Sequence, residues 1–235
     1  MKGTLFLIPN TIADDTSHLV IPAQVTASIK HIKIFLAEDI RTARRYLSAL
    51  KIFDSIEALH FDKLDKHTET VELLDLLNPL LEGEDIGVIS ESGCPGIADP
   101  GAQAVKLAHE FGCRVRPLVG PSSIVLALMA SGLNGQSFAF TGYLPVDDTN
   151  LIAAIREQEH ESRKKSQTQI FIETPYRNAR LFDYLLKYCK PDTQLCIAYD
   201  ITGDNEFIKT AAVSNWRKNT IKLDKQPCVF MILAS

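Results

Sequence analysis

Residues 85–101 read DIGVISESGCPGIADPG, and the order of residue types within them sets the class of fold. Asp85–Ile89 is a short apolar run with β-branched residues, the right length for one buried strand and too short for a helix. Ser90–Gly96 is a loop of small residues with two glycines and a proline. Asp99-Pro100 then supplies a capping carboxylate and a proline at a first helical position, where its missing N–H is no loss. Ala102, Val105, Ala108 and Phe111 continue as an apolar stripe that Gly112 closes. Strand, tight loop, helix is the repeating unit of an α/β protein, and in open α/β sheets ligands sit beyond the carboxyl ends of the strands. The spacing fits neither G-x-G-x-x-G, G-x-x-x-x-G-K-[ST] nor G-x-S-x-G, which argues against dinucleotide, P-loop and hydrolase chemistry.

The same alternation extends in both directions. Buried strands are expected at Thr4–Ile8, Ile32–Ala37 and Arg114–Leu118, then at Phe138–Thr141, Gln169–Glu173, Gln194–Tyr199 and Pro227–Leu233, in largely parallel sheet. Leu73, Leu74, Leu77, Leu80 and Leu81 recur at helical spacing up to Gly83, with Pro79 inside the pattern predicting a kink or an earlier stop. Helices are also expected at Ile124–Ser131, opened by Pro121-Ser122-Ser123, and from about Tyr176 to Cys189 with Leu181, Tyr184, Leu185 and Tyr188 inward. The polar stretch 157–169 reads as a solvated helix end and loop. One α/β pattern ends and the next begins near Leu118–Pro121, which predicts two α/β lobes, 1–118 and 119–235.

With 235 residues the chain is long enough to bury a core without disulfide or metal staples. Lys and Arg number 25 against 29 Asp and Glu, and residues 1–118 hold 12 basic and 17 acidic side chains. That balance excludes a broad basic face, so an anionic partner must meet a local cluster. Five cysteines without a C-x-x-C pair, behind a start (MKGTLFLIPN) that lacks a signal peptide's apolar core, predict free thiols in a reducing cytoplasm and no structural zinc. His60 and His67 have no spacing that suggests a metal site. The longest unbroken apolar runs, Ile124–Ala130 and Cys228–Ala234, are far short of the ~20 residues that span a bilayer, so no membrane partner is expected.

Six strings in order carry a resemblance: Gly3–Ile8 (GTLFLI), Ala37–Arg41 (AEDIR), Ser90–Gly101 (SESGCPGIADPG), Val119–Ser123 (VGPSS), Phe140–Pro145 (FTGYLP) and Glu173–Arg177 (ETPYR). Together they resemble the tetrapyrrole methylase superfamily of S-adenosylmethionine-dependent methyltransferases, and within it the RsmI-type subgroup of small-subunit ribosomal RNA 2′-O-methyltransferases. Several positions depart from the subgroup pattern. Asn10–Asp14 (NTIAD) stands where the subgroup has T-P-I-G-N, and Glu91, Ser92, Cys94 and Ile40 replace Asp, Ala, Thr and Thr.

The resemblance implies two lobes with S-adenosylmethionine in a cleft between them, a homodimer, and ribosomal RNA or the small ribosomal subunit as partner. It places Glu91, Ser92, Gly93 and Cys94 in a cofactor loop, with Ser122, Ser123, Glu173 and Thr174 as further cofactor contacts. Simple helix capping is an equal reading of the two serines. Cys94 reads as a packing residue, since nothing near it in sequence lowers a thiol pKa.

A ribose hydroxyl needs help to lose its proton, and Glu38 and Asp39 at a predicted strand end are the base or positioning candidates. They read first as a negatively charged helix start. Arg41, Arg44 and Arg45 share one helix face, either a phosphate-contacting stripe or ordinary solvated surface. Two rival functions stay open: a methyltransferase of a tetrapyrrole or other small molecule, and a cofactor-binding protein without catalysis.

Overall fold

The computed structural model describes residues 1–223 and 227–235, which form two compact units, Met1–Ser122 and Ser123–Ser235. In the first unit the elements are β1 (Thr4–Ile8), α1 (Ser17–Val20), α2 (Ala23–Ile29), β2 (Ile34–Ala37), α3 (Ile40–Ala49), β3 (His60–Lys63), α4 (Thr70–Glu82), β4 (Ile86–Ile89), α5 (Gly101–Glu110) and β5 (Arg114–Pro117). The strands form one sheet in the order β3-β2-β4-β1-β5, parallel throughout. Parallel central strands are covered on both faces and read as continuous apolar runs. β4 (IGVI) accordingly has all four residues buried.

Two core clusters mark the two covered faces. One packs Val25, Ile29, Ala43 and Leu47 from α2 and α3 against the sheet, and the other packs Leu73, Leu77, Ala104 and Leu107 from α4 and α5. Pro79 does not stop α4. It sits in the last full turn, where the missing N–H leaves only the Asp75 carbonyl without its helical partner. The helix ends instead at Gly83, in the left-handed region (φ 98°), with Glu84 N–H donating to Pro79 O at 2.9 Å and Gly3 N–H to Leu80 O at 2.7 Å.

The second unit runs α6 (Ser123–Ser131), β6 (Phe138–Tyr143), α7 (Asp148–Lys165), β7 (Thr168–Glu173), α8 (Asn178–Tyr188), β8 (Gln194–Tyr199), β9 (Phe207–Ala212), α9 (Val213–Trp216) and β10 (Cys228–Leu233). Its sheet has the order β6-β7-β10-β8-β9, and only β6–β7 is parallel. The expectation of largely parallel sheet therefore holds in the first unit and fails here. β8 returns as β9 after a short turn, with no crossover helix, so antiparallel pairing is the only course open to it.

The sequence reading missed β3 and β9. Both are edge strands, and His60–Lys63 (HFDK) has one buried residue while Phe207–Ala212 has none. The stretch 157–169 is also corrected: α7 continues to Lys165 and buries Glu159 and Ser162. The Glu159 carboxylate accepts from Lys190 N–H at 2.7 Å and from the Thr193 hydroxyl, tying α7 to the loop before β8. None of the five cysteines forms a disulfide. Among the described residues no helix is long and apolar enough to cross a membrane.

Candidate active site

In the first unit β4 lies between β2 and β1, so the loops that follow β1, β2 and β4 leave from neighbouring strands at one edge of the parallel sheet. Side chains far apart in sequence meet there. Asn10, just past β1, is the hub: its backbone N–H donates to Gly93 O at 2.8 Å, and its Nδ2 donates to Ser90 O and Glu91 O at 3.0 and 3.1 Å. Its Oδ1 accepts from Thr11 N–H at 2.8 Å, and the residue is 3% exposed. The chain's departure at Asn10–Asp14 thus supplies the donor that closes the loop after β4.

Other bonds fix the same edge. The buried Tyr46 hydroxyl on α3 donates to Pro9 O at 2.6 Å, and burial pushes its phenol pKa up. Ser90 Oγ donates to Ser92 O at 3.0 Å. Gly120 has no room for a side chain: a Cβ there would stand 2.0 Å from Pro9 Cβ. The Cys94 thiol donates to Pro121 O at 3.3 Å, and burial with the Asp99 charge raises its pKa, so it packs and is no nucleophile.

Three carboxylates converge on this edge. Asp99 Oδ1 accepts from Gly96 N–H at 2.7 Å and Gly101 N–H at 2.8 Å, pinning the loop to the start of α5. Its Oδ2 is buried with no hydrogen-bond partner among the described residues. Glu38 and Asp99 line a hollow of about 10 Å³ with Ala37, Ile89, Ser90 and Gly101, space for one water-sized group. Desolvation raises the Glu38 pKa, and the charges of Glu91, Asp99 and Asp65 add to the effect. Asp99 is raised as well, by burial. Neither Glu38, Glu91 nor Asp99 forms an ion pair among the described residues, and at Glu38 the charge of Lys66 opposes the carboxylates without reversing their effect.

The structure separates the two acidic residues that the sequence left equivalent. Asp39 caps α3, accepting from Thr42 N–H at 2.6 Å; that bond lowers its pKa and makes it the weaker base. Glu38 is half-buried and has no such engagement. Arg41, Arg44 and Arg45 are exposed on α3, with the Arg44 guanidinium 5.0 Å from the Phe61 ring centroid on the missed strand β3. Glu91 and Ser92 are the exposed part of the loop, Gly93 is buried and Cys94 half-buried. Ser122 is the last residue of the first unit.

In the second unit Ser123 opens α6. Glu173, 2% exposed at the end of β7, pairs with Arg177 at 2.7 Å and accepts from Thr174 N–H at 2.6 Å. Arg177 also donates to Leu144 O at 3.1 Å and Pro145 O at 3.4 Å, so Glu173 and Arg177 lock the loops after the parallel strands β6 and β7. Sequence reasoning gave no role to Asn10, Tyr46, the free oxygen of Asp99 or Arg177. The one signal available was that Asn10 and Arg177 stand in or beside the quoted strings while being polar residues next to apolar strands.

No protein-family model matches the chain. It is similar to the ribosomal RNA small subunit methyltransferase I of Vibrio cholerae serotype O1, 31% identical over 205 residues covering 87% of this chain and 67% of that protein. That of Streptococcus pyogenes serotype M6 is 30% identical over 213 residues, covering 91% and 70%. Among solved structures, a diphthine synthase matches with a TM-score of 0.70 at 12% identity, covering 99% of this chain and 90% of that one. The methyltransferase CobJ matches at 0.61 and 16%, covering 100% and 99%, and the uroporphyrin-III-C-methyltransferase from Thermus thermophilus at 0.56 and 16%, covering 99% and 93%. At these identities the structural likeness speaks to fold.

Proposed function

The chain belongs to the ribosomal RNA small subunit methyltransferase I family, and on that premise we propose that it transfers a methyl group from S-adenosylmethionine to a ribose 2′-hydroxyl of small-subunit ribosomal RNA. The observation that carries the chemistry is the cluster of Glu38, Glu91 and Asp99 at the carboxyl edge of the parallel sheet, which forms no ion pair with a cationic side chain among the described residues. A cofactor with a positive sulfur and an ammonium group fits that edge. S-adenosylmethionine, when bound, supplies an electrophilic methyl group.

The hollow beside Glu38 is too small for a nucleoside, so the exposed Glu91 and Ser92 are the accessible cofactor-facing surface of the loop. Gly93 and Cys94 hold that loop's inner side against Asn10 and Pro121. Glu38 is the group that takes the proton from the accepting hydroxyl, since burial and like charge raise its pKa and make it a stronger base than an ordinary carboxylate. Asp39 keeps the start of α3 in place, and Arg41, Arg44 and Arg45 on the same helix contact RNA phosphates. Within the second unit Glu173 orients Thr174 and the end of β7.

We also propose that the protein is a homodimer. The edge strand β6 (FAFTGY) carries no charge and no proline, and beside it Met129 and Phe138 are 73% and 44% exposed around an apolar depression of about 310 Å³. A second copy of the chain would cover them.

The functional test is incubation of small ribosomal subunits with methyl-labelled S-adenosylmethionine, followed by nuclease digestion. The expected result is label in one nuclease-resistant dinucleotide, as ribose methylation requires. Label on a base, or on an added tetrapyrrole and not on RNA, would overturn the assignment.

A further inference from the structure

A basic and aromatic cluster lies on α7 and α8 of the second unit and includes none of the residues assigned so far. Tyr184 and Tyr188 are one helical turn apart on α8, with ring centroids 5.5 Å apart. The Arg156 guanidinium from α7 stands 5.7 Å from the Tyr188 centroid and the Lys187 ammonium 5.3 Å from the same ring. Arg180 stands 5.3 Å from the Tyr184 ring and is paired with Asp148.

The pattern of pairing distinguishes these cations. Arg180 is neutralised by Asp148, to which Tyr184 is also hydrogen-bonded. Arg156 and Lys187 are exposed and form no ion pair with a carboxylate among the described residues. Two cations drawn to one ring repel each other, and an anion placed between them removes that repulsion. Tyr188 offers its hydroxyl beside them. Arg or Lys with Tyr is the residue set that contacts the sugar–phosphate backbone of nucleic acid.

We infer that the α7–α8 surface, through Arg156, Lys187 and the Tyr184–Tyr188 pair, is a second RNA-backbone contact for the substrate. This rests on the ribosomal RNA reading of the protein. Residues 119–235 hold 13 basic and 12 acidic side chains, so the cluster acts in a unit whose mean field does not oppose an anion, unlike residues 1–118. A contact to the RNA backbone alone binds the substrate without taking part in the chemistry.

The test compares the full-length protein with R156A/K187A, and with R163A/K164A, which removes two exposed or half-exposed cations from the end of the same helix. Retention of small-subunit ribosomal RNA is measured across a salt series alongside KM and kcat for methylation. For R156A/K187A the slope of log affinity against log salt should fall by roughly 1.4–1.8, as loss of two phosphate contacts requires. KM for the subunit should rise about tenfold, with kcat, cofactor affinity and melting temperature unchanged. Tyr188→Phe should keep most of the affinity and Tyr188→Ala should lose part of it.

An unchanged slope and KM in R156A/K187A would overturn the inference, as would an equal loss in R163A/K164A, which would mean diffuse electrostatics. Failure of the wild-type protein to label RNA would instead defeat the assigned reaction, while the salt slope would still decide the surface.

Discussion

The two units are built of the same elements and put them to different uses. In the first, five parallel strands send all their carboxyl ends to one edge, so the loops after β1, β2 and β4 deliver Asn10, Glu38, Glu91 and Asp99 to one place. In the second, three of the four strand pairings are antiparallel: β6, β7 and β8 run one way and β10 and β9 the other, and the polar chemistry at the ends of β6 and β7 is the closed Glu173–Arg177 pair. Parallel topology gathers carboxylates that repel one another and therefore suit a cationic ligand. Mixed topology in this chain satisfies its buried charge internally and leaves its unpaired cations on an outer helical surface.

The largest stability effect should come from Glu173→Ala. The side chain is 1% exposed, and its loss strands Arg177 and frees two loops, at a cost of about 3–5 kcal/mol. Trp216 is the chain's only tryptophan, is buried at 1% and lies in the second unit, so its fluorescence in a urea titration reads that unit selectively. The midpoint of the tryptophan transition should drop sharply, and an unmoved midpoint would show that the pair does not hold the second unit together.

Asn10→Ala makes the complementary test in the first unit. It leaves the Ser90 and Glu91 carbonyls without their donor, at a cost of about 1–3 kcal/mol. Cofactor affinity measured by calorimetry should fall while the tryptophan transition stays put. A fall in that transition and none in affinity would mean that the loop after β4 does not bind the cofactor.

A smaller effect separates charge from shape. Glu91→Gln removes the charge that ranks next after burial in raising Glu38. A base whose pKa is raised loses activity at a higher pH on the acid side, so removing Glu91's charge should move the acid limb of kcat downward. A limb that stays fixed would show that Glu38 is not the group titrating.

Much of this arrangement could be read from the sequence because it depends on local pattern. β1, β2 and β4 are apolar runs since both faces of a parallel sheet are covered, and the loop at Ser90–Gly96 declares itself by its small residues. Edge strands β3 and β9 were illegible because exposed strands carry no such run. Glu159 was lost inside a charge run, since its partners Lys190 and Thr193 lie more than thirty residues away. The difference between Glu38 and Asp39 also needed three dimensions. One carboxylate turns to the Thr42 amide and the other to a hollow shared with Asp99, and adjacent acidic letters do not say which.

The central claim is that the half-buried, repelled carboxylate of Glu38 removes the proton from the accepting hydroxyl. It is tested most directly by Glu38→Gln in single-turnover methylation of small ribosomal subunits with labelled S-adenosylmethionine. The account predicts a rate lower by about 10²–10⁴, with no acid limb in its pH profile and cofactor affinity within a few-fold of wild type. A variant that methylates at the wild-type rate with the acid limb intact would contradict it.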